Sequence, residues 1–333
     1  MISWFEHNPI IHGGWDESLP KLVGSNFFQT TAWIEVKRLN GWRVVYMVAS
    51  KNDAIVSMAA VLYRRKPLSG AMAWLPGGVC GEPNLWMQTF EKALKRQLDL
   101  AWLYLRINAI GFEAKEQTVV GFQLNRWSRP SACLGSGQSL IYDLARDEAS
   151  RLTAMSANWR HNLKRSRKHG RSFERWSAPD APTIMNIYRS MERYKGLATQ
   201  LTISELEAML DCLTDSMVLY KCETLQGEII AIRACAVFNN TAFDLLAAAA
   251  PIARKQYASH GLLWALLNEC HNQAIVRYDL GGVDPIINKG VYDFKKGIGS
   301  DLIVYLGEWE YASLPLIKIL TNFALSLKQK IAK

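Results

Sequence analysis

The segment YDFKKGIG, Tyr292 to Gly299, sets an aromatic ring and two adjacent ammonium groups between glycines. A lysine held in a glycine-flanked turn can bind a phosphate or donate to an oxyanion as it forms. On an ordinary surface, Lys295 and Lys296 would be a solvated pair and nothing more. Just upstream lies IVRYDLGGVDP, Ile275 to Pro285. A strand ending in Asp279-Leu-Gly-Gly282 lets backbone approach a ligand closely at the strand's C-terminal end. A plain Gly-Gly turn is the bland alternative. Near the other end is FFQTTAWIEVK, where Lys37 follows Trp33 by one helical turn. A cation and a ring on one helix face suit a nucleotide or a sugar phosphate. A core tryptophan beside a solvent lysine is the everyday alternative.

The charge has its own pattern. The chain of 333 residues carries a net +9. Seven basic residues stand between Arg160 and Arg175: Arg160, Lys164, Arg165, Arg167, Lys168, Arg171 and Arg175, against the single acid Glu174. A solvated face needs no function, but cations at this density repel one another. A polyanion relieves that repulsion and releases counterions, so phosphate or RNA backbone contact is expected here, without base readout.

These residues need elements to hold them. With 49% hydrophobic residues the chain can bury a large core, and its length suits two domains. NFFQTTAWIEVKRLNGW reads as a loop entering a helix capped by Thr30 or Thr31. RVVYMVAS, the turn KNDA and IVSMAAVLYRR form a strand pair; AWLPGGVCGEP is a glycine-rich loop; NLWMQTFEKALKRQLDL is a helix and AWLYLRINAI a strand. SRPSACLGSGQS marks a boundary. After it come the strand LIYDL and a helix, DEASRLTAMSANWRHNLKRSRKHG, stopped by Gly170. The second half then repeats the first in outline. MVLYKCET, LQGE and IIAIRACAVFN match the earlier hairpin, and HGLLWALLNECHNQA with IVRYDLGG repeats helix-then-strand. An internal duplication is expected, each half α+β. The end, ASLPLIKILTNFALSLKQKIAK, is an amphipathic, basic helix that packs on a domain or lies on an anionic membrane.

Several chemistries find no support. The six cysteines form no CxxC pair and the six histidines show no metal spacing. Neither a zinc site, a disulfide framework nor a nucleophilic triad is expected. The N-terminal residues lack a basic start followed by an apolar run, and no long uncharged apolar stretch exists. A reduced, cytoplasmic protein is the expectation.

The order of the motifs adds weight to each. FFQTTAW…K…GW, then YDL…NWRHNLKRSRKHG, then YAS…GLLWALL…YDLGGV…GVYDFKKGIG…YLGEWEY runs collinearly through nearly the whole chain. This series resembles the Fem family, the FemA, FemB and FemX type of peptidoglycan peptidyltransferase. The resemblance implies two tandem GNAT-like domains, with mixed, largely antiparallel sheets and flanking helices. The chain's last segment would return to the first domain, giving 1–138 with 306–333, and 139–305. It implies transfer of an amino acid from aminoacyl-tRNA to an amine of a cell-wall precursor held between the domains. The late motif would put Phe294 and Lys295 at the reaction centre, with Lys295 donating to the oxyanion. The early lysine, Lys37, would contact acceptor phosphate, with Trp33 and Gln29 beside it. Arg193 or Lys195, Tyr257 and Gly282 complete the acceptor side. Arg160, Lys164, Arg165, Arg167, Lys168 and Lys296 would meet tRNA phosphate. No coiled-coil insertion is present, as in the short, FemX-like form.

The chain also departs from the family. Where members often carry an acid and a proline after the first-domain strand, it has Asn108 and Ala109. A base from that strand is therefore in doubt; Asp279 is the nearest carboxylate, Asp293 a weaker one, and water or the substrate can take the proton. No cofactor is implied, aminoacyl-tRNA being a co-substrate. The rival within the fold is a CoA-dependent N-acyltransferase acting on a sugar or small amine. That chemistry needs a glycine-rich loop at a helix start to cradle pyrophosphate. ARKQYASHGLLWALL offers Gly261 alone, beside bulky Gln256, Tyr257 and His260. A second rival is a non-catalytic RNA- or membrane-surface-binding protein. The expected partners are aminoacyl-tRNA and an amine-bearing acceptor. The expected place is the cytoplasm, with peripheral contact at the inner face of an anionic membrane; the expected state is a monomer.

Overall fold

The computed structural model of the chain describes residues 2–169, 171–199 and 201–331. Gly170, expected to stop a helix, lies outside them. The chain divides into two compact units, 1–137 with 304–333, and 138–303.

The first unit opens with β1 (Ser3–Glu6), β2 (Arg43–Lys51), β3 (Ala54–Lys66), β4 (Gly70–Leu75) and β5 (Trp102–Glu113). The β2–β3 hairpin turns through Asn52 and Asp53, both at positive φ, the twist that two-residue hairpin loops require. β3 and β4 are antiparallel, β4 and β5 parallel, and β5 runs antiparallel to β12 (Asp301–Ala312). Helix Thr31–Leu39 follows Thr30, whose hydroxyl accepts from the Trp33 N–H. The core is aromatic: Trp86 meets Phe122 at 5.4 Å between centroids and Trp127 at 6.2 Å, and Phe122 meets Trp309 at 4.8 Å. Several of the tryptophans are therefore core residues of this unit.

The second unit holds β6 (Gln138–Asp143), β7 (Ser172–Arg175), β8 (Met217–Glu223), β9 (Ile229–Phe238), β10 (Thr241–Ala249) and β11 (Arg277–Gly282). The β8–β9 and β9–β10 pairs are antiparallel, β10–β11 parallel, and β11–β6 antiparallel. The succession of pairings is that of the first unit, as a duplication requires. Helix Ala258–Asn272 packs Leu262, Leu263, Leu266, Leu267 and Cys270 into the core with Tyr142, Trp159 and Tyr278. The fold is α+β, with mixed, largely antiparallel sheets and flanking helices.

Three expected elements differ. NLWMQTFEKALKRQLDL is not one helix but two, Pro83–Trp86 and Phe90–Gln97. The stretch after β6 breaks into Glu148–Ala154 and Ala157–Ser166. Met155 there is extended, and Ser156 caps the second helix by accepting from Trp159 N–H. GVYDFKKGIGSD is not a turn. Lys289–Gly297 is helical, with Lys289 paired to Asp293 at 2.6 Å across one turn. Phe294 packs against the second core, and that burial overrides the weak helix propensity of its glycines.

Candidate functional site

β10 and β11 share register over only three residues, Thr241 to Phe243 against Arg277 to Asp279. Beyond these, β10 bulges between Asp244 and Leu246 and stays with β9, while β11 shifts between Asp279 and Gly282 and stays with β6. Four charged side chains of the second unit, Arg233, Asp244, Asp279 and Lys295, gather where that shared register ends.

Arg233 of β9 clasps Asp244 of β10 through two bonds, Nε to Oδ1 at 2.8 Å and Nη2 to Oδ2 at 2.7 Å. Tyr278 of β11 donates its hydroxyl to the same carboxylate at 3.0 Å. The pair is buried, so its partners must satisfy it completely. Burial, and then the Asp244 charge, hold the Tyr278 phenol well above its ordinary range.

Lys295 arrives from the helix Lys289–Gly297. Its Nζ donates to the carbonyls of Gly282 at 3.3 Å and Gly281 at 3.5 Å. Gly281 has φ +78°, a conformation that side chains rarely adopt, and a Cβ there would stand 3.7 Å from Nζ. The Gly-Gly pair thus turns two carbonyls toward the ammonium. Desolvation lowers the Lys295 pKa; Asp244 and Asp279 pull it up and Arg233 pushes it down. Asp279 is buried on β11 and accepts from Ser139 Oγ and, at 2.8 Å, from the Gly281 N–H.

The aromatic wall comes from three elements. The Phe294 ring meets His260 edge-on at 5.0 Å and Trp159 at 5.9 Å, and Trp159 Nε1 donates to the Phe294 carbonyl at 3.0 Å. His260, in the first turn of helix Ala258–Asn272, also lies 4.9 Å from Trp159. Its Nδ1 is buried and has no partner among the described residues. Burial drops its pKa from the usual 6.5 to about 4, so the ring is neutral. Tyr257, the residue before that helix, is at φ 58° and carries the Arg165 guanidinium over its ring at 4.2 Å.

Lys295, Phe294, Asp279, Gly282 and Tyr257 therefore share the second unit with this cluster. Other expected site residues stand elsewhere or are engaged. Gln29 is fully buried in the first unit. Its amide donates to Pro76 O at 2.6 Å and accepts from Ala60 N–H at 2.7 Å, so it ties a loop to β3 rather than meeting an acceptor. Trp33 is buried too, with Lys37 Nζ 4.5 Å from its ring centre. Arg193 is exposed and lines a surface hollow with Asn186, Arg189 and Gly196. Arg160 donates to the carbonyls of Leu152 and Thr153 at 3.3 and 3.0 Å, closing the end of the preceding helix. Lys296 donates to Ser300 O at 2.6 Å, with Asp301 at 3.7 Å. A phosphate would have to displace these partners of Arg160 and Lys296. Lys164, Arg165, Arg167 and Lys168 are exposed. Asp293 is held by Lys289 at the surface. Among the described residues no group of three or more metal-ligating side chains occurs.

Sequence reading missed Arg233, Asp244, Tyr278 and Trp159. A signal existed: IIAIRACAVF and TAFDLLAAA each carry one charge, of opposite sign, in an otherwise apolar strand. Such a charge is stable only when paired.

Residues 216–324 match the model of the FemAB family. The structure of FemX is similar over 96% of this chain and all of that one, at 15% identity and a TM-score of 0.77. The L-PGS of Bacillus licheniformis is similar over 96% and 98%, at 13% identity and a TM-score of 0.56. A tandem GNAT protein from the clavulanic acid biosynthesis pathway is similar over 95% and 99%, at 12% identity and a TM-score of 0.55. No curated protein matches the chain in sequence. About a third of the chain thus resembles the FemAB family, and the chain as a whole has a tandem GNAT-like fold. The stretch that matches the FemAB model carries Arg233, Asp244, Tyr257, His260, Tyr278, Asp279, Gly281, Gly282, Phe294 and Lys295, while Trp159, Ser139 and Arg165 lie outside it. Lys37 and the basic run from Arg160 to Arg175 fall outside that stretch.

Proposed function

We propose that the chain is an acyltransferase of the aminoacyl type, passing an amino acid from aminoacyl-tRNA to an amine of a cell-wall precursor. The observation that carries this reading is the half-buried Lys295 ammonium, held by the carbonyls of Gly281 and Gly282 on a helix that Phe294 anchors to the core. The acceptor amine attacks the carbonyl carbon of the aminoacyl ester. A C–N bond forms, the C–O bond to the tRNA ribose breaks, and the amine's proton passes to water or to the leaving oxygen. Negative charge gathers on the carbonyl oxygen between these events. An ammonium already desolvated and oriented stabilises that charge without reorganising. Asp244 is not a free base, because Arg233 and Tyr278 occupy it. Arg233 and Asp244 instead hold the charge balance beside Lys295.

The exposed Lys164, Arg165, Arg167 and Lys168 support a nucleic-acid donor, which their charge would draw by counterion release. A CoA donor would need open backbone N–H groups at the start of helix Ala258–Asn272. That approach is crowded by Tyr257, with Arg165 stacked on it, and by Gln256, whose carbonyl accepts from Arg171 at 3.1 Å. The acceptor side is proposed to use Lys37, Trp33 and Arg193. The same reading places the protein in the cytoplasm.

The test is a transfer assay with a pool of labelled aminoacyl-tRNAs, and separately with labelled acetyl-CoA, over a crude cell-wall precursor fraction. RNase-sensitive label entering the acceptor, and lost in Lys295→Ala, is the expected result. Label entering only from acetyl-CoA overturns the tRNA donor in favour of an N-acyltransferase.

A further inference from the structure

The helix Pro315–Ile331 presents its faces in the opposite sense from a helix packed on a core. Its inner face is polar. Thr321 and Asn322 are buried, Asn322 donates to Glu310 at 2.7 Å, and Lys318 donates to Ser128 Oγ at 2.6 Å. Its outer face is apolar: Leu316, Ile319, Leu320, Phe323 and Leu327 are 63, 64, 54, 62 and 44% exposed. At 100° per residue these five side chains form one continuous stripe. Single exposed apolar residues are ordinary, but a contiguous stripe marks a surface that something covers.

Charge selects the occupant. From Ser313 to Lys333 there is no acidic residue; Lys318 is engaged on the inner face by Ser128 and Glu310, and Lys328, Lys330 and Lys333 add positive charge at the end of the chain. A second copy docking stripe to stripe would bring two such lysine sets together with no acid in either helix to offset them. A bilayer with anionic headgroups has neither problem. Its acyl region accepts the stripe and its headgroups attract the lysines. Among the described residues no helix is long and apolar enough to cross a membrane, so the fitting geometry is in-plane.

We propose that the helix Pro315–Ile331 is a peripheral membrane-binding element that lies in the surface of an anionic bilayer, with Leu316, Ile319, Leu320, Phe323 and Leu327 inserted. This goes beyond the transfer reading and stands or falls without it.

The test is flotation of the full chain with vesicles of phosphatidylcholine containing about a third phosphatidylglycerol, against pure phosphatidylcholine, at several salt concentrations. The chain is expected to float with the anionic vesicles and to do so less as salt rises. Ile319→Glu with Phe323→Glu is expected to lower the bound fraction about tenfold or more, with the far-ultraviolet circular dichroism unchanged. Should that double variant fail to fold, Leu316→Gln with Leu327→Gln replaces it, and the comparison between the two vesicle types still decides. Three results overturn the proposal: no flotation with anionic vesicles, equal flotation with neutral ones, or full binding by a folded variant. A concentration-dependent dimer that the same substitutions dissociate, without vesicle binding, overturns it in favour of a second copy.

Discussion

Lys295 Nζ stands 3.3 Å from the carbonyl oxygen of Gly282, within a unit where Asp244 and Asp279 both bear on its charge. The ammonium donates to backbone carbonyls, so a developing oxyanion would meet a donor that is already oriented. Lys295→Ala should therefore lower kcat by about a hundred- to a thousandfold. Binding of aminoacyl-tRNA should be little changed. Single-turnover transfer and filter binding separate the two; equal loss in both would remove Lys295 from the reaction centre.

The pH dependence of that lysine has a definite sign. Burial makes its folded pKa lower than its usual 10.5. The folded state then binds fewer protons than the unfolded one in the window between those values, so stability rises with pH there. Below the folded pKa the full penalty of burying the charge is present. Lys295→Met is expected to be the more stable protein at neutral pH, with its advantage shrinking toward pH 10.5. Transfer by the unsubstituted enzyme should fall on the alkaline side as the ammonium is lost. Urea titrations at a series of pH values, with matching rate measurements, check both halves.

His260 moves stability in the acid range. Its folded pKa is about 4 against the usual 6.5, so the unfolded state takes up a proton first as pH falls. This contribution to stability is complete above pH 6.5 and is lost progressively down to about 4, amounting to about 3 kcal/mol. His260→Leu should remove that component of the acid destabilisation. Denaturation midpoints at pH 7 and pH 4.5 would show the slopes of the two proteins diverging; parallel slopes would refute the assignment.

Arg233 and Asp244 should behave unlike Lys295. Asp244→Ala leaves a buried guanidinium with no carboxylate and is expected to cost about 3–5 kcal/mol. Replacing both, as Arg233→Met with Asp244→Leu, should restore most of that stability without restoring transfer. Chemical denaturation alongside the transfer assay distinguishes the two effects.

The exposed cations should act on affinity alone. Replacing Lys164, Arg165, Arg167 and Lys168 by alanine should weaken tRNA binding and flatten its salt dependence by roughly 0.7–0.9 per lost phosphate contact. Lys296→Ala should leave that slope unchanged, since its Nζ is held by Ser300 O. Fluorescence anisotropy between about 50 and 200 mM salt measures the slopes.

Much of this was legible in the chain itself. Strands such as IVSMAAVLYRR and IIAIRACAVF announce themselves by apolar runs, and one helix start by Thr30, because these signals are local. So did the motifs DLGG and FKK, which tertiary structure brings to a single point. Gln29 misled because a buried amide satisfied by Pro76 and Ala60 has the same spelling as one that greets a ligand. FKKGIG misled because its helix comes from Phe294 packing on Trp159 and His260, partners far away along the chain. Local propensity and motif order thus set the elements and the family resemblance. Which charges are paired, which ammonium is left facing carbonyls and which face of the last helix stays uncovered depend on burial and distance. Those are properties of residues far apart in sequence, and only the folded chain decides them.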